Sequence, residues 1–211
     1  MPTRKLPPSR AFNCRGVLSS SKSVGAAIYE SSLERDYLML LDFDQAVMRF
    51  EVQPIKIDMT GLLGYRHYTP DVLVEFEPGQ DRPWLVEVKY EEELRVRWKE
   101  LKPKFQAAMR LCKQRGWVFH LITERYVRTT LLENVKFLRD FRSLCPDGIV
   151  LARLAALAAR PRKVQELLRE LEVSDESIAL SVIWHSLWTG RLVSDLYGEM
   201  LGPQTEVQWY V

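Results

Sequence analysis

The sequence predicts an α/β protein built on a mixed sheet flanked by helices, with a smaller, mostly helical domain after it. Three observations predict this. Val72-Leu73-Val74 and Trp84-Leu85-Val86 lie in apolar runs of strand length bounded by turn residues. Trp98 to Gln114 instead repeats its apolar residues at helical period. Pro146 and the pair Asp147-Gly148 then interrupt the chain before three further helical stretches and two short strand-like ones.

Taken in order, residues 1–28 read as a basic arm containing Pro and Ser, residues 29–145 as the sheet domain and residues 146–211 as the small domain. A helix is expected over Ser31 to Leu41, its apolar stripe formed by Leu33, Tyr37, Leu40 and Leu41. A strand near Val47 to Ile57 contains Pro54, which assigns it to a sheet edge. Gly61 and Gly64 mark a turn into a strand from Arg66 to Phe76, and Pro78-Gly79 the turn into Trp84 to Tyr90. The helix Trp98 to Gln114 is expected to turn Leu101, Phe105, Ala108, Met109 and Cys112 inward and to end at Gly116. Trp117 to Ile122 reads as a buried strand and Leu131 to Arg142 as a covering helix.

Beyond the boundary, helices are expected over Ile149 to Ala159 and Arg162 to Leu171, split by Pro161, and from an N-cap at Ser174 to about Thr189. Short strands near Arg191 to Leu196 and Thr205 to Val211 complete a winged-helix-like pattern. The helix Ser177 to Thr189 has no Lys or Arg, so the electrostatic basis of DNA affinity is missing there and a protein-binding or structural role is favoured. Trp184 and Trp188 read as core, and His67, His120 and His185 have no partner at metal-ligand spacing.

The 211 residues, 46% of them hydrophobic, suffice for one good core or a medium and a small domain. No apolar run is long enough for a membrane helix and the N-terminal stretch lacks a signal-peptide core, so a bacterial cytoplasmic location is expected. Cys14, Cys112 and Cys145 are odd in number and widely spaced, which suits reduced thiols. The net charge of +2 is unevenly shared: residues 143–211 carry −3, leaving +5 on the rest. Residues 1–22 hold Arg4, Lys5, Arg10, Arg15 and Lys22 without an acid, and Lys102 and Lys104 decorate the middle helix. These seven are the candidate phosphate contacts, against the alternative of a solvated tail and a solvated helix face.

The candidate chemistry lies in Pro70-Asp71 and Glu87-Val88-Lys89. On neighbouring strands these put two carboxylates and an ammonium together, with Glu87 and Lys89 on one face because strand side chains alternate. Phosphodiester hydrolysis needs charge neutralised on the attacked phosphate and a water aligned opposite the leaving oxygen. Asp71 and Glu87 offer the hard oxygens that Mg²⁺ or Mn²⁺ prefers, and the Val88 carbonyl is a further ligand candidate. Glu34 sits at the edge of an apolar stripe, where a carboxylate needs a partner: a metal, or a cation such as Arg35.

The Pro70-Asp71 … Glu87-x-Lys89 pattern resembles the PD-(D/E)xK nuclease superfamily. The text around it, from Glu30-Ser-Ser-Leu-Glu34-Arg-Asp-Tyr-Leu through Phe50-Glu-Val-Gln-Pro54, Tyr68-Thr-Pro-Asp71, Leu85-Val-Glu-Val-Lys89 with Glu91-Glu92, and Arg115-Gly-Trp117 to Leu121-Ile-Thr-Glu124, is similar to the TnsA family of transposon end-cleaving endonucleases. The resemblance implies a restriction-endonuclease-like fold, with Glu34, Asp71, Glu87 and Lys89 catalytic and Mg²⁺ (Mn²⁺ substituting) at Asp71, Glu87, Val88 and Glu34. It also implies cleavage of double-stranded DNA at the 5′ ends of a transposon, beside a DDE-type transposase subunit and a transposon AAA+ ATPase. A member of that family carries glutamine at the position of Glu87, and the glutamate here is nearer the general superfamily pattern. The alternatives are a stand-alone restriction or repair nuclease, and a non-catalytic module bridging DNA and ATPase.

Overall fold

The computed structural model describes residues 14–59, 67–173 and 175–210. They divide into two compact units, one ending at Val127 and one beginning at Arg128.

In the first unit a short antiparallel pair, β1 (Gly16–Leu18) and β2 (Ala27–Tyr29), precedes helix α1 (Ser32–Phe43). The apolar stripe of α1 is buried as its spacing predicts: Leu33, Tyr37, Leu38, Leu40 and Leu41 all lie in the core. A four-stranded sheet follows, with β3 (Val47–Val52), β6 (Val72–Phe76), β7 (Trp84–Val88) and β8 (Val118–Ile122) in the order β3-β6-β7-β8. The β3–β6 and β6–β7 pairs are antiparallel and β7–β8 is parallel, the crossover between the last two being the long helix α2 (Glu91–Arg115). The sheet is therefore mixed and flanked by helices. β3 is an outer strand as expected, but it ends at Val52, before Pro54, and Ile57 falls in a separate strand; the edge of β3 is met by the extended chain at Lys22 to Val24, where Phe50 N–H donates to Lys22 O and Val24 N–H to Phe50 O.

Several expectations change in detail. The strand expected over Arg66 to Phe76 is two elements within the described residues, because Pro70 interrupts the ladder. β5 (His67–Tyr68) pairs with β4 (Ile57–Asp58) in a separate ribbon, and β6 begins at Val72. The turn assigned to Gly61 and Gly64, and Arg66, lie outside the described residues. α2 begins at Glu91, well before Trp98, and bends at Arg97, whose backbone is non-helical. Leu101, Phe105, Ala108 and Cys112 face inward as expected, but Met109 is half-exposed, since the stripe is narrower than the run of apolar residues. Gly116 closes α2 in the left-handed region at φ 70°, where a side chain would be strained. β8, expected to be buried, is an outer strand, and four of its five residues are half-buried. A short helix, α3 (Glu124–Val127), ends the unit.

The second unit starts with α4 (Thr130–Leu138) and a 3₁₀ turn over Arg139–Phe141, so the expected helix Leu131 to Arg142 tightens in its last turn. The sequence predicts the division between domains after Cys145; the contacts place α4 with the later helices instead. Leu132, Val135 and Leu138 are buried, and the Phe137 and Trp184 rings meet edge to face at 5.5 Å. Then come α5 (Gly148–Leu157), β9 (Arg162–Lys163), α6 (Val164–Leu171), α7 (Glu176–Trp188), β10 (Leu192–Val193) and β11 (Glu206–Trp209). The three strands form an antiparallel sheet in the order β10-β11-β9. Asp147 caps α5 and Asp175 caps α7; the cap predicted at Ser174 lies outside the described residues. Trp184 and Trp188 are buried as expected, and so is His185, whose Nδ1 lies 2.9 Å from Phe141 O. Asn134 is fully buried, donating to Leu196 O and Glu199 O and accepting from Leu201 N–H.

Candidate active site

The register Val72↔Val86 brings Asp71 opposite Glu87 one step further along, and Asp71 N–H donates to Val86 O at 3.1 Å. Asp71 Oδ2 accepts a hydrogen bond from Val88 N–H at 2.7 Å. Its position is thus fixed by the main chain of β7, just where that strand ends. Gln53, at the end of β3, donates its N–H to Asp71 O at 2.8 Å, so the neighbouring strand holds the same residue from the other side.

Lys89 follows β7, with its N–H bonded to Ile122 O of β8. Its Nζ lies 2.9 Å from Glu87 Oε1, 3.4 Å from Asp71 Oδ2 and 3.0 Å from Val88 O. The three groups predicted to gather at the strand ends therefore do gather, with the ammonium bridging the carboxylates. The second oxygen of Glu87 accepts from the Tyr68 hydroxyl at 2.5 Å. Val88 turns its side chain into the core while both of its backbone polar groups face the site.

Glu34 is placed differently from the cation-paired alternative. Arg35 pairs with Asp36, and Glu34 closes a capping box at the start of α1. Ser31 Oγ accepts from Glu34 N–H at 3.1 Å and donates to Glu34 Oε1 at 2.9 Å, while Glu34 Oε2 accepts from Glu30 N–H at 2.7 Å. The Ser31-x-x-Glu34 spacing permits such a box without deciding it. Glu34 still feels the site: burial raises its pKa, the Asp71 charge raises it further, and Lys89 opposes both.

The electrostatics follow from burial. Burial pushes the Glu87 carboxyl up to about 7, with the Asp71 charge adding and Lys89 opposing. Asp71 is likewise held above the ordinary carboxylate range by burial, against the pull of Lys89 and the Val88 N–H. Burial alone would lower the Lys89 ammonium, but Asp71 and Glu87 outweigh it and hold its pKa above the usual lysine value. A buried and a partly buried carboxylate thus share one cation, a surplus of negative charge that a divalent ion can balance. Asp71, Glu87 and the Val88 carbonyl form a hard-oxygen donor set that fits Mg²⁺, which needs only one or two carboxylates and keeps several waters. Among the described residues, no three His, Cys, Asp or Glu side chains converge as a ready-made metal cage.

Residues 44–124 match the family model described as TnsA-like endonuclease N terminal. This segment is a TnsA-like endonuclease domain. The match supports a DNA nuclease and a place as the endonuclease subunit of a transposase, and such a domain implies a restriction-endonuclease-like fold, in keeping with the mixed sheet flanked by helices. The TnsA-like match takes in Asp71, Glu87 and Lys89, while Glu34 precedes it. No curated protein matches the chain.

The residues predicted to touch DNA around this TnsA-like domain are scattered. Arg4, Lys5 and Arg10 lie outside the described residues. Arg15 pairs with Glu30, and the Lys22 ammonium donates to Asp44 O at 2.5 Å, its pKa lowered by burial against the pull of Asp44. On α2, Lys102 is exposed, whereas Lys104 lies 3.4 Å from Glu100. Tyr68 and Ser31 are the site residues that sequence reasoning missed. Tyr68 could have been found as the aromatic preceding Thr69-Pro70-Asp71 on a strand-like stretch. No helix among the described residues is long and apolar enough to cross a membrane.

Proposed function

We propose that the chain is a Mg²⁺-dependent endonuclease that hydrolyses phosphodiester bonds at the 5′ ends of a transposon, within a heteromeric transposase. The observation that carries the reading is the convergence of Asp71, Glu87 and Lys89 where β7 ends, inside the TnsA-like segment. Asp71, Glu87 and the Val88 carbonyl would hold the cation, which when bound supplies Lewis acidity at the phosphate and acidifies water. Lys89, held as an ammonium, donates to a phosphate oxygen or orients the attacking water, and so offsets the charge that develops during attack. Glu34 supplies a further carboxylate once it leaves its capping box. Tail residues Arg4, Lys5, Arg10 and Arg15, with Lys22, Lys102 and Lys104, contribute phosphate contacts.

We read α5 to β11 as a winged-helix-like domain, a reading supported by three helices followed by two short strands, yet α7 carries no Lys or Arg and residues 143–211 are net negative at −3. This supports a contact with protein, for which the DDE-type transposase subunit and the AAA+ ATPase are the candidates, in the bacterial cytoplasm expected from the sequence. A non-catalytic bridging role is the second reading, favoured by the engagement of Glu34 in its helix cap.

Strand-specific cleavage of labelled transposon-end DNA in Mg²⁺, with transposase and ATPase added or omitted, separates the readings. Cutting at the 5′ ends that requires the partners and is lost in Glu87→Ala supports the proposal. Cutting without partners points to a stand-alone nuclease, and no cutting under any condition to the bridging module.

A further inference from the structure

The two oxygens of Glu87 are divided between two donors. Oε1 faces Lys89 Nζ at 2.9 Å and Oε2 receives the Tyr68 hydroxyl at 2.5 Å. Glu87 is only 3% exposed and Tyr68 6%, so water contributes little to either group. A carboxylate at that depth is unstable as an anion unless donors replace its hydration, and a short O–H···O⁻ bond is among the strongest replacements.

The phenol is held firmly by its surroundings. Its ring lies in a core cluster with Met59, Leu73, Leu85, Ala108 and Cys112, and its main chain pairs with Ile57 in the β4–β5 ribbon. Pro70 separates that ribbon from β6, so Tyr68 approaches Glu87 from outside the sheet that carries Glu87. The hydroxyl proton is directed at Oε2, so Tyr68 is the donor in this bond.

We propose that Tyr68 is a positioning residue for the metal-binding carboxylate: by donating to Oε2 it fixes the Glu87 rotamer and leaves Oε1, shared with Lys89, as the oxygen offered to a divalent cation. The inference rests on the metal-binding reading of Asp71 and Glu87. In this role Tyr68 acts through Glu87, the group its hydroxyl contacts.

The test is Mn²⁺ titration of the full chain by electron paramagnetic resonance, comparing wild type, Tyr68→Phe and Glu87→Gln. Wild type should bind Mn²⁺ and Glu87→Gln should lose it. Tyr68→Phe, which keeps the packed ring, should bind about ten-fold more weakly, the effect of losing one hydrogen bond to a charged group. Tyr68→Phe binding as tightly as wild type, or more tightly, while Glu87→Gln still fails overturns the role of Tyr68 and leaves the metal site standing. Wild type and Glu87→Gln behaving alike overturns the metal reading and this proposal with it. A second measurement avoids any folding defect: 3-fluorotyrosine placed at Tyr68 should shift its ¹⁹F resonance on Mg²⁺ addition only where Glu87 is present. A resonance unmoved by Mg²⁺ in the wild-type background contradicts the proposal.

Discussion

The backbone N–H of Val88 donates to Oδ2 of Asp71 at 2.7 Å, so the position of one acid is set by the strand that carries the other. The pair Asp71 and Glu87 therefore has little freedom to drift apart. Lys89 joins them, its ammonium shared among Glu87, Asp71 and Val88 O. Lys89→Ala is expected to lower cleavage about 10²- to 10⁴-fold, as loss of a positioned proton donor does, while Mn²⁺ binding persists. Single-turnover cleavage alongside a Mn²⁺ titration checks both halves.

The pH dependence of stability has a definite sign. Glu87 has an ordinary pKa of 4.5 and is raised to about 7 in the fold, so between those values the native state holds a proton that the unfolded chain has released. Metal-free stability should then fall as pH rises through this window, by on the order of 1–3 kcal/mol. Glu34 and Asp71 are raised too and add in the same direction. Urea denaturation at pH 5 and pH 8 should show the loss, and Glu87→Gln should reduce it. Equal midpoints in wild type would contradict the burial argument.

Glu34 has two duties that substitution can separate. Glutamine can complete a capping box, so Glu34→Gln should leave the melting temperature near that of wild type while cleavage falls. Ser31→Ala should do the reverse, costing about 1 kcal/mol of stability with cleavage retained. If both variants lose stability alone, Glu34 is a helix cap and nothing more.

Asn134 fastens the segment Leu196 to Leu201 through three hydrogen bonds. Asn134→Ala would leave two carbonyls and an N–H without that partner, at a cost of about 3 kcal/mol. Chemical denaturation of the full chain measures it, and a change below about 0.5 kcal/mol would mean that water replaces the amide.

The basic tail should act through charge. Replacing Arg4, Lys5 and Arg10 together with alanine is expected to weaken DNA binding for any sequence and to flatten its salt dependence by about 0.9 log units per lost phosphate contact. Lys22→Ala should weaken binding too and lower stability besides, because that ammonium is also bonded to Asp44 O. Anisotropy titrations across a salt series, with urea denaturation alongside, separate the two effects.

The sequence by itself determined the strands that carry Asp71 and Glu87, the buried stripe of α1, the helix end at Gly116 and the acid-acid-lysine constellation. Each rests on a local rule: side-chain alternation, helical period, the left-handed freedom of glycine, and the spacing of Glu87 and Lys89. The tertiary structure decided the rest. Whether Glu34 faces a cation, a metal or its own helix end depended on which partner lies within reach, and Ser31 and Glu30 N–H lie nearest in space. The placement of α4 with the second unit depended on what its apolar face packs against, which periodicity does not specify. The bond from Tyr68 to Glu87 depended on Tyr68 packing into the core cluster beside Leu73 and Leu85, a partner choice that the strand-like pattern around Tyr68 does not specify.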